Sequence, residues 1–262
     1  MSGPAVWILV TARMASARYP GKAVAPLAGR PLLEVLFDRL KAAKGCGLAL
    51  ATSRHPDNDE LDALARSAGV HVHRGDEDDV LRRHVEAARE LGAEHVVRVT
   101  GDNPLTDVET LERLVALHLE RSADYSYVPG DALLMGILSE VIATTALERS
   151  WERGEPRHRS ELVTLYIKEH PEEFRIVLGE LPPELDHPEL RLTVDHAEDV
   201  ELMQRLFERL QRPGHRVSTR EAIALLLREP GLAQLNAHLQ HRAANLRSLA
   251  LDERVAQVVR GG

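Results

Sequence analysis

VWILVTARMASARYPGK, residues 6–22, divides into two unlike halves, and the join between them decides what the chain can be. Residues 6–11 are a short apolar, β-branched run, the pattern of a strand buried on both faces. From Ala12 the run gives way to small residues carrying Arg13, Arg18 and Lys22, with Pro20 and Gly21 breaking regular structure between the last two cations. A buried strand that empties into a cationic loop is the outline of a phosphate cradle. Arginine offers planar, bidentate donors and lysine a mobile point charge, and both suit a polyphosphate.

Outward from that stretch, strand and helix signals alternate. Residues 31–43 carry Leu32, Val35, Leu36 and Leu40 at helical spacing, and Gly45 and Gly47 punctuate their end. Residues 48–52 predict a second strand; Asp57 or Asp59 is placed to cap a helix through Leu61, Leu64 and Ala65 that ends near Gly69. A third strand is expected at 70–73, an amphipathic helix at 77–91 stopped by Gly92, and a fourth strand at 95–100 that opens onto GDNPLTD. Asp107 then caps a helix through Leu111, Leu114, Val115 and Leu117. Later strands are expected at 125–128, 137–142, 174–178 and 191–194, and helices at 145–153 and 198–211. Pro213-Gly214 is the clearest linker, so 1–212 reads as the main domain and 213–262 as a helical extension with segments near 219–228 and 232–259. Strand-helix-strand at this short spacing predicts an α/β fold with a mostly parallel sheet covered by helices on both faces. In such sheets ligands sit beyond the carboxyl ends of the strands.

Composition removes several classes of function. At 262 residues and 44% hydrophobic the chain can bury a full core. A formal net charge of -8, with an isoelectric point near 5.9, argues against a general nucleic-acid or membrane-surface binder, which uses long-range positive potential. The single cysteine, Cys46, allows neither an intramolecular disulfide nor a cysteine-based zinc cluster and reads as a buried structural thiol. No charged-then-apolar opening and no apolar run near the roughly 20 residues of a membrane span are present, so a cytoplasmic location is expected. The histidines show no HExxH-like spacing, and His71, His73, His84 and His95 are expected on partly exposed faces. The absence of GxGxxG after the first strand argues against a dinucleotide-dependent oxidoreductase.

Asp102 and Asp195 each follow an expected strand. Either carboxylate alone would serve equally as a cap for the turn or helix after it. As a pair, and beside the cationic loop, they suit a magnesium ion, which takes one or two carboxylates and completes its shell with water and phosphate oxygens. A metal flanked by arginine and lysine is a common means of neutralising charge as a phosphoryl or nucleotidyl group moves.

The run ARMASARYPGK resembles the opening signature of the cytidylyltransferase family that includes acylneuraminate and 3-deoxy-manno-octulosonate cytidylyltransferases. PLAGRPLLEVLFDRL, HRGDEDDVLRR, VVRVTGDNPLTD, GILSEV, RLTVDHAEDVELM and EPGLAQLNAHLQHR extend the resemblance through residue 242, toward the branch of spore coat polysaccharide biosynthesis proteins. The resemblance implies a Rossmann-like α/β/α sandwich of the nucleotide-diphospho-sugar transferase type. It also implies attack of an acceptor oxygen on the α-phosphorus of a nucleoside triphosphate, with Mg2+ and release of pyrophosphate. Carried over by motif, Arg13, Ser16, Arg18 and Lys22 would hold the triphosphate, Thr52 would lie near the base, and Asp102 with Asp195 would bind the metal. Arg13, Lys22 and Asp102 are the residues expected to carry catalysis. Arg74, Asp79 and Arg82 match a segment bordering the nucleotide or acceptor, and Arg98 sits inside a strand, where a charge is paired or faces a site.

Two departures fall in the acceptor half. Leu138 stands where relatives carry an acidic residue in GLDVE, and Leu162 where they carry the histidine of REHVTP. Glu140, Arg157, His158, Arg159 and Glu161 remain as polar candidates for the acceptor, although RHR also suits a solvated surface. The expectation is CTP-dependent transfer to a sugar acid, sugar phosphate or phosphonate. Transfer from GTP, UTP or ATP, or a non-catalytic nucleotide-binding scaffold, are the alternatives, and the C-terminal helices suggest a homodimer.

Overall fold

In the computed structural model, which describes residues 4–16, 18–130, 136–239 and 243–261, the apolar run becomes strand β1 (Val6–Thr11) at the middle of a sheet. Its side chains feed two cores. Val6, Ile8 and Val10 enter one and Trp7 and Leu9 the other, which is why the run has no polar alternation.

In chain order the elements are a short hairpin, β2 (Pro26–Leu27) and β3 (Arg30–Pro31), then α1 (Leu32–Leu40), β4 (Cys46–Ser53), α2 (Asp59–Ser67) and β5 (His71–Gly75). They continue with α3 (Val80–Leu91), β6 (His95–Thr100), α4 (Val108–Glu120), β7 (Tyr125–Tyr127), β8 (Glu140–Ala143), α5 (Thr144–Arg153) and α6 (Leu165–Glu169). The chain closes with β9 (Ile176–Leu178), α7 (Ala197–Leu210), α8 (Thr219–Arg228), α9 (Pro230–Ala233) and α10 (Ala243–Gly261). The sheet order is β5-β4-β1-β6-β8-β7-β9. β5, β4, β1 and β6 are parallel, β8 runs antiparallel to both β6 and β7, and β9 is parallel to β7. Thr11 is in register with Ala51 and Thr100, so the parallel strands end along one edge.

One helix layer, α1, α2 and α4, packs Leu36, Phe37, Leu61 and Leu111 on Ile8 and Val97. The opposite layer packs Leu81 and Val85 of α3, Leu147 of α5, Ile167 of α6 and Val255 of α10 on Leu9 and Val96. The result is a Rossmann-like α/β/α sandwich with a mostly parallel, mixed sheet and C-terminal helices. A third apolar cluster joins Leu27 and Leu192 to Leu206 of α7 and Leu226 of α8, so residues on both sides of the Pro213-Gly214 turn share it. Among the described residues no helix is long and apolar enough to cross a membrane.

Several local expectations change. Residues 191–194 form no strand: the Val194 N–H goes to the Asp102 carbonyl at 2.9 Å and the Arg191 carbonyl accepts from Asn236, so their backbone groups serve a turn instead of a ladder. Neither Asp57 nor Asp59 caps α2; Asn58 holds that position, with its side chain engaged elsewhere. His84 is fully buried and His73 nearly so, because α3 lays one face on the sheet and strand β5 turns His73 inward. Cys46 opens β4 half-buried, and burial followed by the nearby Glu112 charge pushes its thiol up. Asp107 does cap α4, its Oδ1 accepting the Thr110 N–H at 2.8 Å.

Candidate active site

The loop after β1 crosses the edge where the parallel strands end, and its shape is fixed at both ends. The Met14 N–H donates to Oδ1 of buried Asn58 at 2.8 Å, while Gly21 N–H returns to the Met14 carbonyl at 3.0 Å. Asn58 is itself held by Ser53 at the end of β4 through a 2.8 Å hydrogen bond. A short helical turn, Lys22–Val24, then presents Lys22 to the turn after β6, whose Gly101 N–H donates to the Thr11 carbonyl at 2.8 Å. Asp102 follows directly.

Asp195 arrives from the far end of the chain. Gly136 lies against Leu192, where a Cβ would stand 2.3 Å from the backbone, so only glycine admits this crossing. Asp199, on the first turn of α7 and fully buried, then organises the segment. Its carboxylate accepts from the Asp195 and His196 N–H groups at 2.8 and 2.9 Å, from Arg191 Nε at 2.8 Å and from Asn236 at 2.8 Å. Arg191 reaches on to Asp195 Oδ2 at 3.0 Å.

The Lys22 ammonium stands between the two carboxylates, 2.5 Å from Asp102 Oδ2 and 2.9 Å from Asp195 Oδ1. Arg18 also pairs with Asp195 Oδ1. Burial works to lower the Lys22 pKa, yet attraction to Asp102 and then Asp195 overrides it and the lysine is held charged. For Asp195 burial works upward, and Lys22 followed by Arg18 brings its carboxyl well below the usual range. Two hard carboxylate oxygens within reach of one cation are a donor set that fits a divalent ion such as Mg2+.

Arg18, Lys22 and Asp102 border a cleft of about 350 Å3, a common size for a small-molecule site, and Asp195 stands behind its lining, held by Lys22 and Arg18. Arg13, Ser16, Arg18, Lys22, Arg98, Asp102 and Glu161 all line the cleft, so the structure brings together seven of the residues singled out in the sequence. Arg13 Nη2 stands 3.6 Å from Glu161. Arg98 pairs with Glu140 at 2.8 Å and donates to the Glu161 carbonyl at 3.0 Å. Glu140 sits behind the wall, fully buried, taking hydrogen bonds from Tyr125 and Thr164. Burial opposes its ionisation, but Arg98 and then Lys168 bring its pKa down to about 2. Leu162 lines the cleft and is 56% exposed, whereas Leu138 is a core residue.

Other expected residues lie elsewhere. Thr52 is buried inside β4 with a hydroxyl that has no hydrogen-bond partner, so it does not line the cleft. Arg74 is tied to Asp59 at 2.6 Å and to the Ser53 and His55 carbonyls, which turns it away from the cleft. Arg82 pairs with Glu86 at 2.8 Å on the exposed side of α3. Arg159 lies over the Trp151 ring near Asp79, and Arg157 and His158 both bind Glu169, which places them outside the cleft lining. Sequence reasoning missed Asn58, Arg83, Arg191 and Asp199. For Asp199 a signal existed, since the run Asp195-His196-Ala197-Glu198-Asp199 places an acid three residues into a helix, where it can cap. Arg83 reads simply as one charge on a solvated helix.

Comparison with known proteins identifies the family. The model of the cytidylyltransferase family matches residues 7–241. The spore coat polysaccharide biosynthesis protein SpsF of Bacillus subtilis is 34% identical over 235 residues, 87% of this chain and 96% of that protein. A 3-deoxy-manno-octulosonate cytidylyltransferase of Francisella philomiragia is 31% identical over 121 residues, 44% of this chain and 47% of that protein. Among solved structures, a cytidylyltransferase from Leptospira borgpetersenii superposes with a TM-score of 0.79 at 27% identity, covering 88% of this chain and 97% of the other.

Proposed function

This chain belongs to the cytidylyltransferase family and is a nucleotidyltransferase, and from that premise we propose that it transfers a cytidylyl group from CTP to a sugar acid, sugar phosphate or phosphonate, releasing pyrophosphate. The observation that carries this reading is the Lys22 ammonium shared by Asp102 and Asp195 in a cleft lined by Arg13 and Arg18. Arg13, Ser16, Arg18 and Lys22 bind the triphosphate and stabilise charge on the departing pyrophosphate. Asp102 and Asp195 would hold a Mg2+ ion, which supplies charge neutralisation for the phosphates when bound. Lys22 keeps the two carboxylates together until phosphate oxygens arrive, and Arg191 with Asp199 holds Asp195 in place beside Lys22. Arg98, oriented by Glu140, and Glu161 face the acceptor, whose hydroxyl or phosphate oxygen forms the new bond to the α-phosphorus as the bond to the β-phosphate oxygen breaks.

A thermal-shift panel of CTP, UTP, GTP and ATP, each with Mg2+, tests the nucleotide, because a ligand that binds the native state raises its melting temperature. CTP is expected to give the largest rise. Equal responses to all four would remove the cytidine assignment, and no response to any would remove the nucleotide site.

A further inference from the structure

Arg83, on the first turn of α3, lines the same cleft and is only 1% exposed. Its Nε and Nη1 are buried with no hydrogen-bond partner, and no ion pair reaches it among the described residues. Among the described residues the other cations of the buried class have hydrogen-bond partners, while the partly exposed Arg149, whose Nε and Nη2 also lack one, has Asp124 as an ion-pair partner. Arg39 donates to the Pro104 and Val217 carbonyls, Arg191 to Asp199, and Lys168 to Asp252 at 3.1 Å. A buried, uncompensated guanidinium is strongly unfavourable unless something pairs with it. Burial, and next the like charge of Arg13, lower its pKa, while Asp76 and Glu77 oppose this less strongly.

The surroundings are shaped to keep it there. A Cβ at Gly75 would stand 2.9 Å from Arg83 Cγ, so the end of β5 is bare where the arginine stem passes. Adjacent His84 supplies no countercharge. It is fully buried, burial first of all lowers its pKa to about 3, and it stays neutral. Its Nδ1 donates to the Val80 carbonyl at 2.8 Å, so its Nε2 accepts the Thr11 hydroxyl at 3.0 Å. Along the same wall Arg98 is balanced by Glu140 and Arg13 is loosely met by Glu161. At the other end, Lys22 and Arg18 already have Asp102 and Asp195 as partners.

We propose that Arg83 recognises the anionic group of the acceptor, a carboxylate or phosphate, from the wall formed by α3 and the Glu161-Leu162 segment. This rests on the cleft being a nucleotidyl-transfer site. The triphosphate takes the Lys22 and Arg18 groups, and the acceptor's oxyanion takes the unpaired guanidinium of Arg83 as its countercharge. Leu162, in the same cleft lining, adds no polar competitor, so Arg83 sets the preference for anionic over neutral sugars.

The test uses the full chain, its Arg83→Met and Arg83→Lys variants, and inorganic phosphate as the probe oxyanion. Phosphate is titrated by thermal shift with saturating CTP and Mg2+, which blocks the triphosphate end, and again without nucleotide; CTP is titrated separately. Ligand-free Arg83→Met is expected to melt at or above the wild-type temperature and to bind CTP within about twofold of wild type. Its phosphate affinity should weaken at least about tenfold, with partial recovery in Arg83→Lys. A phosphate response that persists in Arg83→Met, or is absent from the wild type, overturns the assignment. A loss of CTP affinity of about tenfold or more moves Arg83 to the nucleotide and also overturns it. A variant that fails to fold, or melts well below wild type, shows Arg83 to be packing. A wild type that binds phosphate through Arg83 but never CTP overturns the nucleotidyl-transfer reading and leaves Arg83 as an oxyanion site.

Discussion

Replacing Lys22 with Met should tighten Mg2+ binding to the nucleotide-free protein while slowing turnover. The ammonium stands within hydrogen-bond distance of both Asp102 and Asp195, and the side chains of all three residues are only 13–20% exposed. A divalent ion entering there must displace it. Charge-assisted hydrogen bonds of this kind contribute about 1.5–3 kcal/mol each, and at the lower end the pair amounts to about 3 kcal/mol. That energy corresponds to roughly a hundredfold in an equilibrium constant. Asp195 keeps Arg18 and Arg191, so the gain falls mainly on Asp102, and an increase in Mg2+ affinity of at least about tenfold is the expected outcome. Turnover should fall by about 10²–10³, the usual loss when a preorganised donor to developing charge is removed. Isothermal titration with MgCl2, on wild type and Lys22→Met confirmed folded by circular dichroism, checks the binding half. An unchanged or weaker Mg2+ affinity in the variant would refute the placement of cation and metal at one pair of carboxylates.

Three further outcomes follow from buried groups. Asp199→Ala leaves Arg191 buried beside Asp195 alone and strips two backbone N–H groups of their acceptor, so urea denaturation should show a loss of about 3–5 kcal/mol, and a loss under ~1 kcal/mol would deny Asp199 its organising role. Thr52→Val removes a buried hydroxyl that bonds to nothing; stability should stay level or rise by about 1 kcal/mol with the KM for CTP unchanged, whereas a raised KM would return Thr52 to the nucleotide site. Burial lowers the pKa of His84 to about 3 and that of His118 to about 4, below the 6.5 of an unperturbed imidazole, so the unfolded chain takes up protons that the native fold refuses. Stability should therefore be full above pH 6.5 and decline as pH falls toward 3, at up to about 1.4 kcal/mol per pH unit for His84; denaturation midpoints that stay flat from pH 7 to 5 would contradict this.

The parts of the fold legible in the sequence are those whose signal is local. The strand at residues 95–100, the Asp107 cap and the Gly92 stop each depend on a few adjacent residues, and the structure places them where the periodicity does. The segment 191–194 has the composition of a strand, but its backbone partners are Asp102 and Asn236, far away in sequence, and no periodicity reveals them. The site divides in the same way. Arg13, Lys22 and Asp102 stand out because cations and a carboxylate beside strand ends have few local uses. The family resemblance implies Thr52 near the base and Arg74 near the nucleotide or acceptor, yet which side of a strand end faces the cleft depends on the loop held by Asn58. Arg83 is hidden for the opposite reason. On a helix of mixed charge it looks solvated, and only the packing of α3 against the bare Gly75 shows that it is buried and unpaired.

In the proposed reaction this cleft joins a cytidylyl group to an anionic sugar. Pyrophosphate release from CTP and Mg2+, measured across sugar acids, sugar phosphates and phosphonates with mass spectrometry of the product, tests it most directly. Stoichiometric pyrophosphate and a CMP-linked product are expected with at least one anionic acceptor, both formed at least about 10²-fold more slowly by Lys22→Ala or Asp102→Ala. Tight CTP binding with no pyrophosphate from any acceptor, or undiminished turnover in Asp102→Ala, would contradict it.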